Sequence, residues 1–246
     1  MRSLEDREAV RALIASGANN CEIVRQTGVP LTTVRNWRTQ PPAQQPHLCP
    51  LCGNAALPNP EAYVYLLGLY LGDGHIVECP RRVFRLSVYL DAGYPGIIGE
   101  AREAMAAVRV EGRIGARRRQ DRCVEVYSCW KHWPCLFPQH GPGMKHLRQI
   151  ELREWQADIV GSHPARLLRG LIHSDGCRGI NRVRARGVPY EYPRYQFTNF
   201  SPDIRAIFCR AYDDFGVRWT QSNSVTISVS RAGDVAKLDS VIGPKS

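Results

Sequence analysis

The chain has 246 residues, and 43% of them are hydrophobic, enough to bury a core and too many for a disordered tail. The balance of 33 Lys and Arg against 23 Asp and Glu gives a net charge of +10, a field that favours nucleic acid or an anionic membrane. No apolar run approaches the roughly 20 residues that span a bilayer. The opening MRSLEDREAV lacks the apolar stretch of a secretory signal, and nine cysteines show no compact disulfide framework. A cytoplasmic protein with reduced thiols and no membrane association is expected.

Residues 1–39 read as three short helices. Leu4–Ser16 places Val10, Leu13 and Ile14 on one face and stops at Gly17. Cys21–Gln26 follows, Gly28 marks a turn, and Leu31–Arg38 carries Val34 and Trp37 as core anchors. The run Ile23–Val34 resembles a helix-turn-helix of the resolvase or transposase kind. That resemblance implies an all-α DNA-binding domain whose last helix presents Thr32, Thr33, Arg35, Asn36 and Arg38 to the major groove. A plain three-helix interaction domain is the other reading.

Residues 40–60, QPPAQQPHLCPLCGNAALPNP, are too rich in Pro to form a regular element and read as a linker. It contains Cys49-Pro50-Leu51-Cys52 followed by Gly53, which looks like half of a zinc knuckle. A structural zinc site wants four ligands, and CWKHWPCLFPQH offers Cys135 with His132 or His140 to complete it across space.

The remainder is a duplicated α/β body, residues 61–161 and 162–246. Leu66-Leu67-Gly68-Leu69-Tyr70-Leu71-Gly72-Asp73-Gly74 returns as Leu168-Arg169-Gly170-Leu171-Ile172-His173-Ser174-Asp175-Gly176, with five of nine positions identical. Each copy reads as a helix with small residues four apart, Gly68 and Gly72 or Gly170 and Ser174, which share one helix face and permit close approach. An Asp-Gly pair ends each helix, the Gly suiting the left-handed turn. In half 1, strands follow at His75–Val77 and Val83–Leu90, then a helix at Gly96–Val108, then strands around Arg113 and over Val124–Tyr127. In half 2 the strands are Ile180–Arg186 and Tyr195–Phe200, a helix led by Ser201-Pro202-Asp203, and strands Val217–Thr220 and Val225–Ser230. Each half thus reads α-β-β-α-β-β-α. If the motif helices pack together, Asp73 and Asp175 arrive side by side. Two such carboxylates need a cation between them, and Mg²⁺ suits oxygen ligands and phosphodiester hydrolysis.

The two nonapeptides resemble the LAGLIDADG motif of homing endonucleases, in its monomeric, internally duplicated form. The resemblance implies an α+β fold: a pseudo-twofold duplicated αββαββα core with antiparallel saddle-shaped sheets lying along double-stranded DNA. It implies a monomer in which Asp73 and Asp175 are the catalytic Mg²⁺ ligands. It also implies a basic residue at the end of each fourth strand, Lys131 and Arg231 by strand counting. A polar residue on the second strand assists the water, Gln196, with Arg85 opposite.

Arginines cluster in candidate strands of both halves: Arg109, Arg113, Arg117, Arg118, Arg119 and Arg122 in the first, Arg178, Arg182, Arg184, Arg186 and Arg194 in the second. Alternation, as in Arg182-Val183-Arg184-Ala185-Arg186, puts guanidinium groups on one sheet face, where they suit phosphates and guanine edges. The function these features imply is a Mg²⁺-dependent, site-specific DNA endonuclease. A DNA-binding transcriptional regulator on the same scaffold is the runner-up, and an RNA-binding maturase the third reading.

Overall fold

A computed structural model describes residues 4–39, 49–53, 56–110, 112–120, 122–185, 187–243 and 245. The chain divides into two compact units, Met1–Leu48 and Cys49–Ser246.

The first unit is three helices, α1 (Leu4–Ala15), α2 (Asn20–Thr27) and α3 (Leu31–Thr39). Val10, Ile23, Val29 and Val34 are fully buried between them, with Leu13, Ile14 and Trp37 packed alongside. Gly17 and Gly28 take left-handed φ of 85° and 66°, which only glycine adopts without strain, so each helix stops where its glycine lies. Asn19 caps α2 by accepting from the Glu22 amide at 3.0 Å.

The second unit is α+β. Helices α4 (Pro60–Leu71) and α5 (Pro95–Val108) accompany strands β1 (Gly74–Cys79), β2 (Val83–Asp91), β3 (Gly115–Arg118) and β4 (Cys123–Trp130). After α6 (Trp133–Leu136) and α7 (Glu154–Ser162), the pattern restarts with α8 (Pro164–Asp175), β5 (Gly176–Ala185), β6 (Val188–Thr198) and α9 (Pro202–Phe215). It closes with β7 (Thr220–Gln221), β8 (Thr226–Val229) and α10 (Ala232–Ile242). The two antiparallel sheets have the same order, β1-β2-β4-β3 and β5-β6-β8-β7, so the sequence repeat is a repeat of topology.

One hydrophobic core runs through both halves. Its axis is α4, where Tyr63 to Leu71 are all buried. A helix apolar all round must be enclosed on every side, and α4 packs against α8, α5 and β1. Asn59 caps it by accepting from the Ala62 amide, and Pro60 fills a first-turn position where its missing N–H costs no bond. Helices cover one face of each sheet. In the second, Phe197 stacks on Phe208 of α9 and Tyr195 Oη donates to Asp239 of α10 at 2.7 Å.

Several strand limits differ from the sequence reading. The strand expected at Tyr195–Phe200 begins at Val188 despite Pro189 and Pro193. Only Tyr195–Thr198 pairs with β8, so the two prolines lie where β6 has one neighbour and a lost donor breaks no ladder. Arg113 precedes β3, and Val217–Thr220 is reduced to the short β7. The Asp-Gly turns are also different: neither Gly74 nor Gly176 has a positive φ. Glycine is required there because the strand doubles back against its own helix. A Cβ on Gly74 would stand 2.3 Å from Tyr70 Cα, and one on Gly176 2.7 Å from Ile172 Cα.

Candidate active site

The small residues of the two motifs bring the carboxylates together. A Cβ on Gly68 would stand 2.7 Å from the Leu167 carbonyl oxygen and 2.9 Å from Gly170 Cα. One on Gly170 would stand 2.3 Å from the Tyr65 carbonyl oxygen. Backbone cannot swing aside as a side chain can, so even a methyl group is excluded at this crossing. One turn on, a Cβ on Gly72 would collide with Ser174 and lie 3.1 Å from Asp175 Oδ2. Asp175 therefore reaches the end of the opposite helix, beside Asp73. Across the same interface Arg169 grips Glu100 of α5 with two hydrogen bonds of 2.7 Å, and Arg166 pairs with Glu61 at 3.0 Å.

Burial and the neighbouring Asp175 charge push the Asp73 carboxyl up to about 6, against the counter-pull of Lys145 and Lys245. Asp175 is also raised by burial, but less freely, since Asn199 Nδ2 donates to its Oδ2 at 2.6 Å. Asn199 is itself fixed by accepting from the Ser201 amide at 2.8 Å. Lys145 Nζ donates to the carbonyl oxygens of Tyr70 (2.6 Å), Gly72 and Gly74 (3.0 Å). All three of its protons are engaged, so the ammonium caps the end of α4 and places positive charge beside both carboxylates. Burial lowers its pKa to about 8. Lys245 Nζ makes the matching bond in the other half, to the Gly176 carbonyl oxygen. Two lysines thus occupy corresponding positions after the two motif aspartates.

Neither lysine is marked by the sequence pattern. Lys131 and Arg231 are the residues expected in that role, and the structure does not bring them to the carboxylates. Gly74 is in register with Val88 and Val88 with Val126, so the Asp73 end of the sheet lies at Val126. Lys131 follows the far end of β4, four residues and roughly 13 Å away at Trp130, and is exposed. Arg231 is the exposed residue that precedes α10, beyond the far end of β8. Lys145 opens a single 3₁₀ turn, Lys145–Leu147, within a long connection, and Lys245 lies beyond the last helix, with no periodicity to mark them.

Register also sorts the other residues. Directly paired residues share a sheet face. Arg85, Ser87 and Tyr89 oppose Cys129, Tyr127 and Glu125 on the face that helices leave open, and Arg117 joins them opposite Glu125. Glu125 has no exposed side-chain surface; Arg117 and Arg119 hold it at 2.7 and 3.1 Å, with Arg85 at 3.8 Å. Ser87 Oγ donates to it from below at 2.8 Å. Arg113 is exposed just before β3. In the second half Gln196 lies on the open face, next to the Asp175 end and opposite Cys177. Arg182 and Arg184 do not. They pair with Glu191 and Pro189 in the alternation that contains Phe197 and Tyr195, the face the helices cover nearer the core. Both are exposed on the outer part of the hairpin, and Arg182 is engaged with Glu191 at 2.8 Å. Arg186 lies outside the described residues. The open face of the second sheet carries Arg194, Asn181, Tyr192 and Tyr190 instead.

In the three-helix unit, Thr32, Arg35 and Asn36 are exposed on α3 and Thr33 is half-buried. Arg38 is committed to its own unit, donating to Asn20 Oδ1 at 2.8 Å and to the Ala18 carbonyl oxygen at 2.5 Å. At position six of the motifs, Leu71 is core and His173 is a buried imidazole hydrogen-bonded to Tyr65 Oη at 2.9 Å; burial drops its pKa to about 4. Of the thiol and imidazole candidates, Cys49, Cys52 and Cys135 cluster with His132. His140 does not join them; it lines a cleft with His75, His146 and Arg148 on the Lys145 side. Among the described residues no helix is long and apolar enough to cross a membrane.

No protein-family model and no curated protein matches the chain. Among solved structures it is similar to LAGLIDADG-type proteins. A structure of mesophilic variants of the homing endonuclease I-DmoI is 13% identical with a TM-score of 0.47, covering 75% of this chain and 97% of that one. The LAGLIDADG meganuclease I-AabMI, bound to uncleaved DNA, is 14% identical with a TM-score of 0.46, covering 74% and 82%.

Proposed function

We propose that the chain is a divalent-metal-dependent, site-specific DNA endonuclease of the LAGLIDADG kind. The observation that carries this reading is the pair of half-buried carboxylates, Asp73 and Asp175, at the adjoining ends of two close-packed helices, flanked by Lys145 and Lys245. A partly desolvated, mutually repelling carboxylate pair is a costly arrangement that a cation relieves. The donors are hard oxygens, which fit Mg²⁺. Asp73 and Asp175 would hold it, and the bound ion would supply charge for a phosphodiester oxygen and a more acidic water. Asn199 orients the Asp175 carboxylate. Lys145, locked on three carbonyl oxygens, holds positive charge at the site without swinging away, and Lys245 does so from the other half. Gln196 stands on the open face beside Asp175, where it can hydrogen-bond a water or a phosphate.

The open sheet faces supply the DNA-binding surface in this reading. The first offers Arg85, Arg117 and Arg119 braced on Glu125; the second offers Arg194, Asn181 and tyrosines, so the halves would read unlike half-sites. A pseudo-dimeric core needs no second copy to place two carboxylates, which supports a monomer.

The test is incubation with a randomised duplex library, with sequencing of the cut ends. Cleavage in Mg²⁺ that is lost in EDTA and in Asp175→Asn is expected, with Ca²⁺ supporting binding and little cutting. Specific binding without cleavage in either Mg²⁺ or Mn²⁺ would overturn the nuclease. It would favour a DNA-binding regulator, a reading supported by the exposed Thr32, Arg35 and Asn36 on the last helix of the three-helix unit.

A further inference from the structure

The sulfur cluster lies apart from the carboxylates and does nothing in the reading above. Cys49 and Cys52 flank a tight turn closed by the Gly53 amide donating to the Cys49 carbonyl oxygen at 2.9 Å. His132 and Cys135 stand at the start and one turn along α6. Across separations of 80 and 83 residues, Cys52 Sγ lies 3.6 Å from His132 Nδ1 and 3.6 Å from Cys135 Sγ. Cys135 Sγ is 3.7 Å from His132 Nδ1. All four ligand atoms, Cys49 included, fall within 4.8 Å of one another.

We infer that these four residues form a structural Cys₃His zinc site. A tetrahedral zinc with its usual bond lengths has edges of roughly 3.8 Å between sulfurs and about 3.6 Å between sulfur and nitrogen, and the separations among Cys52, His132 and Cys135 match. Three thiolates and an imidazole select a soft or borderline ion over Mg²⁺ or Ca²⁺. Four protein ligands leave no open position, so the site is structural and not catalytic. Its fourth ligand is His132, not His140.

The fold has a use for such a clamp. A four-residue helix cannot hold itself, yet α6 anchors buried groups: Trp133 Nε1 donates to the Ser128 carbonyl oxygen at 2.9 Å, and the Leu136 carbonyl oxygen accepts from Tyr63 Oη at 2.7 Å. The zinc would tie α6 to the segment entering α4, where the Pro-rich connector ends. Half 2 has no such loop, since β8 passes through Ser230 and Arg231 directly into α10.

Metal analysis of protein expressed in zinc-supplemented medium tests the site. About one zinc per chain is expected in the wild type and in His140→Ala, and little in Cys52→Ser and His132→Ala. Should the variants fail to fold, the wild type alone decides. Apo-protein titrated with Co²⁺ should develop thiolate-to-metal absorption and the intense visible bands of a tetrahedral ion at one equivalent, both erased by Zn²⁺. Three thiols should become protected from alkylation at the same point. Zinc-free wild type whose thiols alkylate equally fast with and without added Zn²⁺ would overturn the site. So would a His132→Ala protein that keeps its zinc while His140→Ala loses it.

Discussion

Asp73 is held in a state that ordinary folding would avoid. Its carboxyl accepts no hydrogen bond among the described residues, whereas Asp175 has Asn199, and its pKa stands at about 6 instead of 3.8. A raised carboxyl pKa means the folded state binds the proton more tightly than the unfolded one. Its stabilising contribution is complete below pH 3.8 and is lost as pH rises through about 6. At pH 7 without metal, the charged Asp73 therefore destabilises the fold by about 1–3 kcal/mol, since a tenfold change in proton affinity is worth about 1.4 kcal/mol. Asp73→Asn should raise metal-free stability by that order at pH 7, change it little at pH 4, and abolish cleavage. Mg²⁺ should stabilise the wild type increasingly above pH 6 and leave the variant unmoved. Denaturation curves across pH, with and without Mg²⁺, check this; a variant less stable than wild type at pH 7 would remove the argument. At this scale the aspartates were legible because they repeat at fixed positions in a helical motif. Lys145 and Lys245 were not, because their role depends on loops returning to a helix end, and Lys131 was misplaced because counting strands does not say which end of the sheet a strand finishes at.

Element packing was more readable, and glycine chemistry explains why. Close approach of α4 and α8 followed from Gly68, Gly72, Gly170 and Ser174, since small residues at i and i+4 leave one face free. Gly170→Ala should destabilise by about 1–3 kcal/mol or more, because its methyl would meet backbone at the Tyr65 carbonyl. Gly99→Ala in α5, where a Cβ meets nothing within 4 Å, should stabilise by about 0.5–1 kcal/mol. Opposite signs for the pair, measured by chemical denaturation, separate packing from helix propensity; equal effects would mean the helices are not in backbone contact. The arginine strands were the harder case. Alternation shows that Arg182 and Arg184 share a face, but only the pairing of Gly176 with Phe197 reveals that this is the face of Phe197. A single register thus decided which side chains stand on the open surface: of the second-half arginines it keeps Arg194 there, and it adds Asn181 and Tyr192. His132 over His140 was likewise undetermined by spacing, since both lie within reach of Cys135 in sequence.

At the scale of the whole chain, the two units have separate cores. Val10, Ile23, Val29 and Val34 form one, and no residue of it belongs to the core built around α4. Removing residues 1–39 should therefore leave Cys49–Ser246 folded, with unchanged denaturation of that unit. If α3 docks in a major groove through Thr32, Arg35 and Asn36, the truncated protein should bind its target more weakly and protect a shorter stretch of DNA. The comparison must be made at one fixed salt concentration, because each phosphate contact adds to the steepness with which affinity falls as salt rises. The truncated protein should also show a shallower salt dependence, having lost phosphate contacts along with base contacts. Cutting at saturating protein should persist, since Asp73, Asp175, Lys145 and Lys245 all lie in the retained unit. Arg35→Ala in the full chain should reproduce part of the affinity loss. Arg38→Ala should instead act through stability, because its guanidinium is occupied by Asn20 and Ala18. Unchanged affinity, footprint and salt slope after truncation would assign the three helices to a protein contact and leave DNA recognition to the two sheets alone.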